Sequence, residues 1–333
     1  MTAGEPPRIV LLGATGFVGS VVLRELATRP GRVRAVGRRP APVPTGAVAE
    51  IEPRAVDLTE PGAVASVVSD ADVVIHTVAY IAGSSTWRIE DGDAAAERVN
   101  VGLVRDLATA LGDRGGPPAG VVFAGAISQA GTPDRDVLDG TEPDRPRGEY
   151  NRQKLAAERL LLEADAAGVL RGASVRLPTV YGYGPRSTVR DKGVVSTMVR
   201  RALAGEQITM WHDGTVRRDL LHVEDAAAGL VAAADHMPAL AGRHWLLGTG
   251  RSEPLGEVFR TVADLVAART CKPPVGVVSV TPPAYAEAGD FRSVTVDSSA
   301  FRAATGWAPV VALADGLRRT VEFCAAGDAG GIT

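Results

Sequence analysis

The chain has 333 residues, of which 45% are hydrophobic and 23% charged, and its formal net charge is −3 at pH 7. This composition is typical of a globular protein with a substantial hydrophobic core. Because there is no basic excess, nucleic acid is not an expected partner.

The chain also lacks the usual signals for export, membrane insertion or metal binding. Residues 1–7 do not combine a basic region with an apolar stretch, and no apolar run reaches the roughly 18 residues of a membrane span. The two cysteines, Cys271 and Cys324, are far apart in sequence. We therefore expect a soluble cytoplasmic protein with reduced thiols, no membrane partner and no metal site.

In chain order, short apolar segments alternate with helical patterns through the first half of the sequence. The first predicted strand covers residues 8–12. Further buried strands are predicted at residues 33–37, 49–56, 71–76, 120–124 and 173–177, and helices at residues 97–111 and 150–167. This alternation predicts an α/β fold of the doubly wound, parallel-sheet type.

A glycine-rich turn follows the first strand. Residues 13–19 read Gly-Ala-Thr-Gly-Phe-Val-Gly and lead into a helical pattern. Gly13 permits the tight turn, Gly16 lets a pyrophosphate approach the helix N-terminus, and Gly19 lets the helix pack close to the strand. Strand, turn and helix in this order predict a dinucleotide-binding element. Its predicted cofactor-binding residues are Gly13, Thr15, Gly16, Phe17, Val18 and Gly19.

The residues after the second strand predict which dinucleotide binds. An NAD enzyme commonly has an acid there for the ribose 2′-hydroxyl, whereas this chain has Arg38 and Arg39. Two guanidinium groups can pair with a 2′-phosphate but cannot accept a hydroxyl proton. The sequence therefore favours NADP(H), and two solvated surface arginines are the alternative interpretation.

Tyr150 and Lys154 lie four residues apart in a predicted helix. Lys154 is one of only three lysines among 36 basic residues, so an ammonium is favoured at this position. The spacing places both side chains on one helix face, where Lys154 is expected to lower the phenol pKa from its usual value of about 10. Such a phenol can exchange a proton with a carbonyl or alcohol oxygen. An exposed helix pair is the alternative.

Beyond residue 178 the pattern loosens into loops and shorter helices, predicted at residues 194–204, 223–234, 255–268 and 312–325. We expect residues 1–178 to form an NADP-binding Rossmann domain, with strand and helix contributions from later segments. Residues 179–333 are expected to form mainly a smaller substrate lobe. The predicted cleft lies between this lobe and the carboxyl ends of the strands.

The glycine turn together with Tyr150 and Lys154 resembles the extended short-chain dehydrogenase/reductase family, and further segments match its motifs in order over nearly the whole chain. The resemblance implies that Lys154 also binds the nicotinamide ribose and that Asn100 is a structural hydrogen-bonding residue. Further cofactor contacts implied by the resemblance are Asp57, Leu58, Thr77, Val78, Ala79, Leu177, Pro178 and Val180.

Residues 213–225 resemble the Arg-Asp motif of the family's nucleotide-sugar branch. In that motif the arginine, here Arg218, holds the substrate diphosphate. A planar guanidinium suits a phosphate group. The resemblance therefore implies a nucleotide-sugar substrate.

Two positions depart from the family pattern. Ala126 stands where family members usually place a catalytic Ser or Thr, and Ser128 lies two residues later. In an extended segment Ser128 would face the same side as position 126, so we expect it to supply the missing hydroxyl. Glu287 stands where many relatives have an arginine for the diphosphate, and Arg292 is a candidate to compensate.

Residues 81–88, 210–214 and 217–222 resemble the 4-ketoreductases of bacterial antibiotic deoxysugar pathways. The resemblance implies reduction of a dTDP-4-keto-6-deoxyhexose by NADPH, with Tyr150 as the proton donor. It also implies a sugar pocket formed by Ser84, Ser85, Thr86 and Trp87.

The sequence leaves two alternative functions open, and it also leaves the oligomeric state open. The runner-up is a nucleotide-sugar 4-epimerase with tightly bound NAD, and a minor alternative is a non-enzymatic dinucleotide-sensing protein, because a fold does not determine a function. Family members often dimerise through helices that correspond to residues 97–111 and 150–167, so a homodimer is expected by resemblance.

Overall fold

The computed structural model describes residues 6–80, 89–184, 187, 191, 193–284 and 286–329. The strands are β1 Arg8–Leu12, β2 Arg32–Gly37, β3 Glu50–Ala55, β4 Val73–His76, β5 Gly120–Ala126, β6 Val137–Leu138, β7 Arg171–Leu177, β8 Thr179–Tyr181, β9 Ile208–Met210, β10 Arg217–His222, β11 Arg243–Leu246, β12 Ser252–Pro254, β13 Val277–Ser279 and β14 Thr295–Val296.

The α-helices are α1 Phe17–Ala27, α2 Ala63–Val68, α3 Ala94–Glu97, α4 Leu103–Asp113, α5 Glu149–Ala166, α6 Val194–Leu203, α7 Val223–Asp235, α8 Met237–Leu240, α9 Leu255–Thr270, α10 Ser299–Thr305 and α11 Leu313–Ala329. None of the helices in the described ranges has the length and hydrophobicity that crossing a lipid bilayer requires.

A parallel sheet in the order β11-β7-β5-β4-β1-β2-β3 forms the centre of the molecule. The inner strands β1, β4 and β5 are mostly apolar and buried because both faces of the sheet are covered, whereas the edge strand β3 is polar and largely exposed. Ile9 and Leu11 of β1 pack on the face covered by α1 and α7, whereas Val10 and Leu12 pack on the face covered by α2, α4 and α5. The predicted doubly wound α/β fold is confirmed.

The order of the strands reverses between β1 and β4, which lie side by side in the sheet. In such sheets the crevice at the carboxyl ends of the strands, where the order reverses, is the usual ligand site. Gly13 follows β1 and Thr77 follows β4, and Thr77 Oγ1 donates to Leu12 O at 2.8 Å. The predicted glycine turn is therefore at the reversal point.

The helix predicted at residues 97–111 is interrupted in the structure. A π-helical turn, Arg98–Gly102, separates α3 from α4. Asn100 lies in this turn, and its Oδ1 accepts a hydrogen bond from Tyr80 N at 2.7 Å. The apolar periodicity alone did not predict the interruption, because a π turn adds one residue without removing the helical pattern.

The smaller lobe packs α6, α9 and α11 around its own hydrophobic cluster, together with residues from β8, β9 and β10. Strand β11 comes from the second half of the chain but joins the central sheet next to β7. The division into domains at residue 178 stays a prediction.

Candidate active site

The glycine turn has the close packing that a dinucleotide-binding turn requires. Gly13 has φ +93°, and a Cβ there would lie 2.7 Å from Thr77 Oγ1. A Cβ on Gly19 would overlap the main-chain carbonyl of Gly13. Gly16 is the N-cap of α1, without a side-chain cap and without an acid in the first turn. These residues fit a pyrophosphate, because the helix N-terminus offers N–H groups and a favourable dipole.

The end of β2 lies directly beside this turn. A Cβ on Gly37 would lie 2.7 Å from Thr15 Oγ1, and Arg38 and Arg39 that follow it are exposed. Asp57, after β3, accepts hydrogen bonds from Thr59, which lower the pKa of the Asp57 carboxyl, and the positive charge of Arg38 adds to this effect. The structure therefore brings two predicted cofactor contacts, Arg38 and Asp57, near each other.

The other predicted cofactor contacts differ in exposure. Thr77, Val78, Ala79 and Val180 are half-buried after β4 and within β8. Leu58, Leu177 and Pro178 are buried, and Leu58 and Leu177 belong to the two hydrophobic clusters on either face of the central sheet. Phe17 and Val18 begin α1 and are half-buried. Their individual roles stay predictions.

Tyr150 and Lys154 lie in the first two turns of α5. Lys154 is buried, its Nζ donates to Ala124 O of β5 at 2.9 Å, and it lies 4.6 Å from the centroid of the Phe123 ring. Burial lowers the pKa of Lys154 to about 8, and Glu158 on the next turn opposes this effect. The side chain of Lys154 is thus attached to the carboxyl end of β5 in the central sheet.

The phenol of Tyr150 differs from the prediction. Tyr150 is half-buried, and removal from water raises its pKa to about 12. The prediction of a lowered phenol pKa is wrong for this structure, because the ammonium of Lys154 is directed to the sheet and loss of solvent is the effect that acts on Tyr150. The neutral phenol is the form in which Tyr150 can donate a proton.

Ser128 does not lie in an extended segment. Residues Ile127–Ala130 form a 3₁₀ helix after β5, so the prediction that Ser128 and Ala126 face the same side is wrong. The 3₁₀ turn instead brings Ser128 to the first turn of α5, where its Oγ donates to Asn151 Oδ1 at 2.6 Å. Asn151 Nδ2 in turn donates to Arg147 O at 2.6 Å. The hydroxyl therefore lies next to the residue that follows Tyr150.

Arg218 lies at the start of β10 and its guanidinium binds main-chain carbonyls. It donates to Gly289 O at 2.9 Å, to Asp290 O at 3.0 Å and to Arg292 O. These carbonyls belong to a short 3₁₀ turn, Ala288–Phe291, and to the residue after it. The predicted diphosphate ligand thus holds this turn in place.

The second departure from the family pattern also lies in this segment. A Cβ on Gly148, the N-cap of α5, would lie 3.1 Å from Glu287 Oε1, so the carboxylate of Glu287 lies beside the start of α5. Arg292 donates to Pro133 O at 2.9 Å, in the loop before β6. The structure thus gives the guanidinium of Arg292 a partner in that loop. The predicted sugar-pocket residues Ser84, Ser85, Thr86 and Trp87 lie outside the described residues.

Sequence reasoning missed a buried polar network beneath the site. Arg176 of β7 donates through Nε to Glu158 Oε2 at 3.0 Å and through Nη1 to Asp144 Oδ1 at 2.7 Å. Gln129 Nε2 and Ser174 Oγ also donate to Glu158 Oε2. An arginine inside an apolar strand, and a glutamate four residues after Lys154, were the available signals for such a network.

A second missed contact links α5 to the cofactor side of the sheet. Asn100 Nδ2 donates to Gln153 Oε1 at 2.9 Å, and Gln153 Nε2 donates to Glu149 Oε1 at 2.9 Å. These bonds flank Tyr150 and Lys154 on their helix. Together with the bond from Tyr80 N to Asn100 Oδ1, they connect the turn after β4 to α5.

Comparison with known protein families agrees with this geometry. The model of the NAD dependent epimerase/dehydratase family matches residues 9–248, which include the glycine turn, Tyr150 and Arg218. The chain belongs to this family. The matched residues span the central sheet, α5 and the first part of the smaller lobe.

Individual members of this family align with most of the chain. UDP-glucose 4-epimerase of Mycolicibacterium smegmatis is 30% identical over 259 residues, which are 76% of this chain and 75% of the relative. The dTDP-L-rhamnose 4-epimerase of Burkholderia thailandensis is 26% identical over 350 aligned positions, which cover 93% of each chain.

Among solved structures, MoeE5 in complex with UDP-glucose and NAD has a TM-score of 0.78 with this epimerase/dehydratase chain. It is 29% identical in sequence and the alignment covers 96% of this chain and 99% of MoeE5. The similarity extends over both lobes.

Proposed function

We propose that this protein is an NADPH-dependent ketoreductase that reduces the C4 ketone of a dTDP-4-keto-6-deoxyhexose, in a 2-deoxy or 2,3-dideoxy form. The finished sugar would serve bacterial antibiotic deoxysugar biosynthesis in the cytoplasm. The proposal of a reductase rests on Arg38 and Arg39. Both are exposed at the end of β2, beside Thr15 of the glycine turn. A 2′-phosphate on the cofactor suits these two guanidinium groups.

Tyr150 and Lys154 have different roles in the proposed reduction. Bound NADPH supplies the hydride that reaches the sugar C4. Tyr150 donates its phenolic proton to the C4 oxygen, so that the ketone becomes an alcohol and the cofactor leaves oxidised. The raised pKa of Tyr150, about 12, keeps this proton in place at neutral pH. The Lys154 ammonium stabilises the phenolate that remains after the transfer.

Ser128 and Arg218 must change partners to take part. For Ser128 to donate to the C4 oxygen, its hydroxyl leaves Asn151 Oδ1. For Arg218 to bind the diphosphate, its guanidinium exchanges main-chain carbonyls of residues 289–292 for phosphate oxygens. Both exchanges replace existing hydrogen bonds by new ones, and in the second the new acceptors carry full negative charge.

The test is to follow NADPH consumption by its ultraviolet absorbance with a panel of freshly made dTDP-4-keto-6-deoxysugars, including 2-deoxy and 2,3-dideoxy forms. Consumption with one of them, and a product that carries a new C4 hydroxyl, supports the ketoreductase. No consumption with any of them contradicts it.

A nucleotide-sugar 4-epimerase is the second candidate, because both reported curated relatives are 4-epimerases and MoeE5 was solved with NAD. An epimerase retains its cofactor through a cycle of oxidation and reduction. Protein purified without added cofactor should therefore release NAD on denaturation if it is an epimerase. A ketoreductase should bind and release NADPH reversibly.

A further inference from the structure

His76, the last residue of β4, is buried next to the candidate active site. It is only 1% exposed, and among the described residues neither ring nitrogen has a hydrogen-bond partner. A buried imidazole without partners loses its hydrogen bonds to water without replacement, which destabilises the folded protein. Such a group in a native protein requires an explanation, of which an ordered water and a catalytic role are two.

The position of His76 points to Lys154. Its ring packs on Phe123 with a centroid distance of 5.6 Å, and the Lys154 ammonium lies 4.6 Å from the centroid of the same ring. Burial and the positive charge of Lys154 lower the pKa of His76 to about 3, so the imidazole is neutral at pH 7. A neutral imidazole has one nitrogen that accepts a hydrogen bond.

The ammonium of Lys154 can donate the hydrogen bond that this imidazole nitrogen accepts. An ammonium has three donors, and among the described residues its hydrogen bond is to Ala124 O. The titratable neighbours of the Lys154 ammonium are His76 of β4 and Tyr150 and Glu158 of α5. Its neighbours on β5, Phe123 and Ala124, do not titrate. The imidazole of His76 and the ammonium of Lys154 thus both lie against the ring of Phe123, at the carboxyl ends of β4 and β5.

We propose that His76 is a positioning residue that accepts a hydrogen bond from the Lys154 ammonium through one buried water molecule and so keeps Lys154 charged. This inference rests on the proposed role of Lys154 beside Tyr150. A water needs two or more polar partners in a buried site, and the carbonyl of Ala124, the ammonium and the imidazole provide them. Without the imidazole, Lys154 loses its proton at lower pH and no longer stabilises the Tyr150 phenolate.

The rarity of lysine makes a direct test possible. With lysine labelled by ¹³C at Cε, the protein gives signals from Lys154, Lys192 and Lys272 alone, and K192R and K272R assign them. In H76L and H76F the pKa of Lys154 should fall by about one unit, because the charged ammonium loses a hydrogen bond that favours it. H76Q retains an acceptor and should restore most of the shift.

Val74→Ala is the matched control, since Val74 lies two residues earlier on the same buried face of β4. It should leave the pKa of Lys154 unchanged. An unchanged pKa in folded H76L or H76F overturns the inference, whatever the reaction of the enzyme. If the ketoreductase is active, the alkaline fall of its kcat should move to lower pH in H76L by the same shift, and by none in V74A.

Discussion

At the scale of single residues, the chemistry of the site depends on partners that each side chain acquires on folding. Burial raises the pKa of Tyr150 to about 12 and lowers that of Lys154 to about 8. The two pKa values move in the directions expected for a phenol and an ammonium that lose solvent. At neutral pH Tyr150 is protonated, and Lys154 is mostly charged. These are the protonation states that a ketone reduction requires.

Tyr150→Phe should abolish turnover and preserve NADPH binding. The variant retains the ring and removes the proton donor, and general acid catalysis contributes about 10²–10⁴-fold. Stopped-flow turnover and NADPH fluorescence titration measure the two effects. Tyr181→Phe is the control, because among the described residues its hydroxyl makes a single long hydrogen bond, of 3.5 Å, to Leu313 O. Turnover of Y150F at the wild-type rate would contradict the assignment of Tyr150.

Replacement of Arg38 and Arg39 by serine should weaken NADPH binding by about tenfold or more and leave NADH binding unchanged. The reason is that each charge-assisted hydrogen bond to a 2′-phosphate contributes about 1.5–3 kcal/mol, and NADH has no such group. Calorimetric titration with both cofactors measures the difference. Arg260→Ser removes an exposed arginine of α9 and should change neither affinity. Equal weakening of NADPH binding and NADH binding would refute this interpretation of Arg38 and Arg39.

At the scale of elements, close approach of backbone to backbone determines where the cofactor turn lies. Helix α1 packs so near to the end of β1 that no side chain fits at Gly19. Likewise, the 3₁₀ turn Ile127–Ala130 brings Ser128 against the first turn of α5. The site is therefore formed by the ends of strands and the starts of helices, where N–H groups are available.

Gly19→Ala should destabilise the protein by about 1–3 kcal/mol and weaken dinucleotide binding, because α1 must move away from the Gly13 carbonyl. Denaturant unfolding and cofactor titration measure these effects. Gly31→Ala is the matched control, since a Cβ there meets nothing within 4 Å. Its free energy of unfolding should stay within about 0.5 kcal/mol of the wild type. Identical behaviour of the two variants would show that α1 does not need this approach.

At the scale of the whole molecule, the Glu158 network joins segments far apart in sequence. It connects α5 to β7, to the 3₁₀ turn after β5 and to the loop that holds Asp144. Arg176 and Glu158 are each 2% exposed. Burial raises the pKa of Glu158, but its bonds with Arg176 outweigh this, so the pKa is lowered overall. The network therefore links α5 directly to the central sheet.

Arg176→Met should destabilise the protein by about 3–5 kcal/mol, because it leaves Glu158 buried without its partner. In the wild type, Glu158 stabilises the fold above its unfolded pKa of about 4.3, and this is lost as the pH falls through the lowered folded pKa. In R176M, burial should raise the Glu158 pKa, opposed by the hydrogen bond from Ser174 and by His244. Its contribution should then become less favourable as the pH rises above about 4.3.

Denaturant unfolding of R176M between about pH 4 and pH 7 checks this reversal against the wild type. Arg171→Met is the control, since Arg171 is the exposed first residue of the same strand. Its pH dependence should equal that of the wild type. A parallel pH dependence for R176M and R171M would exclude Glu158 as the group responsible.

The sequence by itself determined the features that depend on local pattern. The alternation of apolar segments predicted six of the seven strands of the central sheet within a few residues but not β11, and the order of β1, glycine turn and α1 predicted the dinucleotide element. The spacing of Tyr150 and Lys154 predicted one helix, which is α5. These features are predictable because strand, helix and turn preferences act over a few neighbouring residues.

Only the tertiary structure decided which groups each functional side chain meets. Lys154 binds the carbonyl of Ala124, Ser128 binds Asn151, and Arg218 binds the turn at residues 288–291. The raised pKa of Tyr150 follows from burial that no local pattern shows. These contacts join segments that are distant in sequence, and the solvent exclusion that shifts their pKa values exists only once the sheet, the helices and the smaller lobe have packed together.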